Sequence, residues 1–130
     1  MAELDELKAV VAQVIEAVNS RNLEAFSETL HDDVAFFLPR APFALDGKAA
    51  VREGYRSLFA NCEELMTRLI NPQYRVVGTA GIVWGHLAVS IKPKDGPLTS
   101  SFLRFTWSFV KSNEKWRRVA VHLSSIPSGN

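Results

Sequence analysis

The sequence predicts an α+β domain, with helices first and an antiparallel sheet after them. Two observations predict this. Apolar residues recur at helical spacing through the first part of the chain, and the rest is alternating runs cut by turn residues. Helices that precede the strands, rather than alternate with them, belong to the α+β class.

The elements follow in order. Over residues 3–20, Leu4, Leu7, Val11, Val14, Ile15 and Val18 share one stripe, and the charged residues fall largely off it. "NSRN" interrupts that pattern, and Asn22 is a candidate N-cap for a short second helix burying Leu23, Phe26 and Leu30. "HDD" ends it, "VAFFLP" is a short strand, and Pro39 and Pro42 mark a loop. Asp46 is placed to cap a third helix over residues 47–60, facing inward through Val51, Tyr55, Leu58 and Phe59. A long strand over 63–77 carries "NP" at 71–72, and Pro72 cannot donate to a ladder, so a bend or bulge is expected there. Strands over 80–92, 98–111 and 116–125 then form an antiparallel meander with turns at "KPKDGP" and "SNEK".

Composition narrows the function. A chain of 130 residues, 47% hydrophobic and 22% charged, is enough for one domain with its own core. Fifteen basic residues against fourteen acidic ones leave a formal charge of +1, without the basic excess of a nucleic-acid binder. The single cysteine, Cys62, allows no intrachain disulfide and fits a reducing compartment. The acidic start "MAELDELK" does not read as a secretory signal, and no apolar run approaches a membrane span. A cytoplasmic protein with no membrane or nucleic-acid partner is the expectation.

Several stretches together resemble the nuclear transport factor 2-like superfamily, in its SnoaL-like and ketosteroid-isomerase-like branch. They are "LKAVVAQVIEAVNSRNLEAFSETLHDDVAF", "LDGKAAVREGYRSLF", "LINPQYRVVG" and the ending "KWRRVAVHLSSIP". The "NP" and the closing strand are also similar to the association domain of calcium/calmodulin-dependent protein kinase II. The resemblance covers nearly the whole chain. It implies a cone-shaped fold, in which a strongly bent antiparallel sheet wraps three helices around an internal cavity. It also implies a homodimer, often made through the outer sheet face. The superfamily includes isomerases, cyclases, dehydratases, transport factors and association modules, so the fold does not name a function.

Strand alternation assigns the faces. The more apolar set should border the helices. It gives a pocket lined by Phe37, Leu87, Leu103, Phe105, Trp107, Val121 and Leu123, with Tyr55 reaching its mouth and Arg40, Asp46 and Glu63 nearby. The opposite set, Trp84, His86, Arg104, Thr106, Trp116, Arg118 and His122, falls on the outer face, and Trp and Arg there suit a dimer interface. On this reading His122 is an interface residue rather than a base.

The chemical constellations are weak. Isomerase-type proton transfer needs a base carboxylate and an oxyanion hole. The resemblance places these at Leu38, Val14 and Leu103, all aliphatic. The kinase association domain's carboxylate-holding arginines would fall near Leu87, Trp107 and Leu123, which implies no anion site. His31, Asp32 and Asp33 are read as a solvated turn, and His86 and His122 lie one strand too far apart to share a metal. Cys62 has two glutamates beside it, which disfavour a thiolate. "GTAGIVWG" has no following helix and is no dinucleotide fingerprint.

The sequence therefore points to a SnoaL-like protein that binds a small apolar or aromatic molecule, with no cofactor or metal. A non-catalytic dimerisation module is the alternative. A lyase or isomerase is the third reading, with Tyr55 as acid, Asp46 or Glu63 as base, and His122 as a weaker candidate.

Overall fold

The computed structural model describes residues 2–39 and 41–126. Its elements run α1 (Ala2–Asn19), α2 (Leu23–Glu28), β1 (Leu30–Phe37), β2 (Leu45–Asp46), α3 (Lys48–Asn61), β3 (Cys62–Val77), β4 (Ala80–Pro93), β5 (Thr99–Ser112) and β6 (Lys115–Ser125). The strands form one curved, unclosed sheet in the order β2-β1-β6-β5-β4-β3. All neighbours are antiparallel except β1 and β6, which run parallel, so the sheet is mixed and not wholly antiparallel as expected.

Local chemistry explains the helix starts. The Asn22 side chain accepts a hydrogen bond from the Ala25 amide at 3.1 Å, capping α2 as the sequence suggests. Asp46 does not cap α3. It lies in β2, paired with Ala35 of β1, and Gly47 takes the N-cap position at φ 96°, where a Cβ would be strained. The stripe of α1 buries Leu7, Val11, Val14 and Val18. At its C-terminal end Asn19 clasps the backbone of β3, donating to Thr67 O at 2.9 Å and accepting from Thr67 N at 2.7 Å.

The sheet bends where the sequence marks it. The β3–β4 register shifts between Ile70 and Gln73, at Asn71-Pro72. Across from this bulge sits Gly85, where an added Cβ would lie 3.1 Å from Asn71 O. Only a residue without a side chain lets the two backbones approach so closely.

One irregularity decides what the sheet encloses. Ser108 pairs with Ala120, but the next residue, Phe109, pairs with Arg118, so Val119 is an extra residue in β6. A bulge of this kind resets side-chain alternation. After it, Val121 and Leu123 face the helices; before it, Trp116 and Arg118 face them too. The sequence reading put Trp116 and Arg118 on the outer face. They are instead 3% and 2% exposed, inside the molecule. Trp116 packs beside Gly81, where a Cβ would come within 3.2 Å of its ring.

Candidate functional site

A cavity of about 560 Å³ lies between the concave sheet face and the helices. This is within the usual range for a small-molecule site, about 300–1,000 Å³. Its wall comes from α1 (Val14, Ile15, Val18), α2 (Phe26), β1 (Phe36), α3 (Tyr55, Leu58) and the inward residues of β3 to β6. Of the pocket residues read from the sequence, Tyr55, Leu87, Leu103, Trp107, Val121 and Leu123 line it. Phe105 is buried beside Trp107, their ring centroids 4.8 Å apart, but forms no part of the wall.

Phe37 is a correction. It is 47% exposed on the opposite face, where its ring lies 5.5 Å from His122. Strand parity is the reason: Phe36 pairs with Val121 and points inward, which turns Phe37 outward. The spacing of Val34, Phe36 and Leu38 carried that signal.

The candidate acids and bases do not converge. Asp46 and Glu63 are exposed, and Glu63 forms an ion pair with Lys92 at 2.9 Å. His122 is exposed on the outer face, as expected, and does not line the cavity. Arg40 lies outside the described residues. Among the described residues, no Asp, Glu or His belongs to the cavity wall, and no cluster of His, Cys, Asp and Glu could hold a metal. Cys62 is buried and accepts a hydrogen bond from Arg21 Nη1 at its carbonyl, 2.6 Å away.

What the wall does contain is Arg118. The sequence reading placed this residue on the outer face, and the structure puts it in the wall of the cavity. The bulge at Val119 aims this side chain inward, and the backbone fixes its root: Arg118 N donates to Thr29 O at 2.8 Å. The guanidinium carbon lies 5.1 Å from the Phe26 ring, 5.2 Å from Phe36 and 5.0 Å from Trp107. Its Nη2 donates to Thr29 Oγ1 at 3.2 Å, while Thr29 gives its own proton to Phe26 O at 2.7 Å. The buried Nε has no partner, and no carboxylate pairs with the side chain among the described residues.

The energetics make this arrangement unusual. Burying an ion costs several kcal/mol even after relaxation. A desolvated cation–π contact returns about 2 kcal/mol at best. The three rings therefore soften the cost without supplying a countercharge. Desolvation lowers the Arg118 pKa to about 10, which still leaves the group charged at neutral pH. Tyr55 stacks on Phe26 at 4.3 Å and meets Phe36 edge-on at 5.7 Å. Desolvation raises its phenol pKa, and the Arg118 charge opposes that shift, so Tyr55 is a neutral donor at neutral pH.

Comparisons with known proteins agree with this architecture. Residues 7–128 match the SnoaL-like domain family. A candidate dehydratase of the NTF2-like family from Streptomyces avermitilis superposes with a TM-score of 0.88 at 19% identity, covering 98% of this chain and 99% of that one. A candidate scytalone dehydratase from Novosphingobium aromaticivorans gives 0.87 at 12% identity, covering 97% and 85%. A candidate calcium/calmodulin-dependent protein kinase II association domain from Xanthomonas campestris gives 0.82 at 14% identity, covering 95% and 88%. At such identities the likeness is one of fold.

Proposed function

Because the chain belongs to the SnoaL-like domain family, whose fold hosts unrelated activities, we propose its function from the cavity: it binds a small, largely apolar or aromatic molecule. The observation that carries this reading is the cavity of about 560 Å³ walled by aliphatic and aromatic side chains with few polar groups. Acid–base turnover has little support. General acid–base catalysis needs a proton acceptor within hydrogen-bond reach of the substrate, and the described wall offers Tyr55 and Arg118 but no carboxylate or imidazole. Binding is favoured over the lyase or isomerase reading for that reason. The test is a titration with a neutral aromatic, 1-naphthamide, followed by tryptophan fluorescence. Saturable binding that Trp107→Ala weakens supports the reading; no binding up to the solubility of the probe contradicts it.

A homodimer through the convex sheet face is a second part of this proposal. Phe37, Phe102, Trp84 and Ile82 are exposed large apolar residues. The ring of His86 stacks on Phe102 at 5.5 Å. Exposed apolar patches of this kind mark association surfaces. Trp116 and Arg118 drop out of the interface, while Trp84, His86, Arg104, Thr106 and His122 stay with it. Light scattering on Trp84→Asp supports the interface if a wild-type dimer becomes a monomer, and a wild-type monomer contradicts it.

A further inference from the structure

Among the described residues Arg118 is a buried cation without a countercharge. It is 2% exposed and lines the cavity, and its one side-chain hydrogen bond among the described residues goes to a neutral hydroxyl. Thr29 cannot serve as countercharge, and its proton is already given to Phe26 O. No acidic side chain of the described wall competes for the guanidinium. We infer that Arg118 anchors the anionic head of the ligand, a carboxylate on an aromatic or aliphatic body, at the deep end of the cavity. This inference rests on the small-molecule reading above and sharpens it.

The chemistry selects a carboxylate. A guanidinium offers a planar fork of donors that matches the two carboxylate oxygens. Arg118 is the only Lys or Arg in the described wall. One buried positive charge balances one negative charge. A phosphate, which carries more than one charge at neutral pH, would remain undercompensated there. Tyr55 lines the same cavity as Arg118, and its phenol would give the head a second hydrogen bond. The apolar wall of Val14, Leu87, Leu103 and Leu123 then receives the body.

The experiment compares 1-naphthoate with 1-naphthamide at neutral pH by isothermal titration calorimetry. The two share a ring system and differ in charge at the head. The expected result is acid binding at least about tenfold tighter than amide binding, the scale of one hydrogen bond to a charged group. In Arg118→Met the two affinities should converge on that of the amide. Arg118→Lys should keep part of the preference, because it keeps the charge and loses the fork. Equal affinities in the wild type would overturn the anion anchor and leave the cavity reading standing. Binding of neither probe would overturn both. An acid preference that survives in Arg118→Met would also overturn the assignment, since another group would then hold the head. Should Arg118→Met fail to fold, the wild-type pair and Arg118→Lys still decide.

Discussion

Among the described residues two arginines lie on aromatic rings, one on each side of the sheet. On the convex side Arg75 sits 5.0 Å from the Trp84 ring and is exposed on the single chain. On the concave side Arg118 sits about as far from three rings but is 2% exposed. The contact is the same and the solvent differs. On the single chain water reaches the outer cation, and its ring contact adds little. The inner cation is shut off from bulk solvent, and its partners among the described residues are rings and a hydroxyl. The difference teaches that a cation–aromatic contact carries functional meaning here only where solvent is absent and a countercharge is missing.

The largest effect should come from breaking the aromatic box around Arg118. Trp107→Ala removes a ring that is 3% exposed and should cost about 3–5 kcal/mol in urea unfolding.

Replacing the cation rather than the box should act in the opposite direction. A buried charge without a partner is a liability, and Arg118→Met should raise stability without ligand by about 1–4 kcal/mol, the range for exchanging buried ionic groups for apolar ones. A loss of several kcal/mol would mean that the charge is paired after all. Titration sharpens the same point. Anion binding needs the protonated guanidinium, whose pKa is lowered to about 10. Affinity for 1-naphthoate should therefore stay level through neutral pH and fall as pH rises past that value. The smallest effect belongs to the outer pair, where Arg75→Ala should change stability by less than about 1 kcal/mol.

Legibility of the sequence followed the regularity of the ladder. In β5 the alternation of Leu103, Phe105, Trp107 and Phe109 is unbroken, and all four are buried as the spacing says. In β6 the same rule works for Val121, His122 and Leu123 and fails for Trp116 and Arg118, because one inserted residue lies between the two stretches. Alternation cannot announce its own interruption. A tryptophan in register with an arginine on a nominally wet face was the available hint. The doublet Phe36-Phe37 was ambiguous for a related reason, since a single strand shows its parity but not which side is the core. The parallel pairing of β1 with β6 brings Thr29 to Arg118 across 89 residues of sequence, and nothing local encodes it. The bend at Asn71-Pro72 and the cap at Asn22 were readable because each depends on its own neighbours.

The central claim is that Arg118 is dry, charged and available to a ligand. Nuclear magnetic resonance of the arginine Nε–H groups tests it most directly. The account predicts one slowly exchanging Nε–H signal that disappears in Arg118→Lys and shifts when 1-naphthoate, but not 1-naphthamide, is added. If no such protected signal exists, or if it ignores the acid, Arg118 is not the anchor described here.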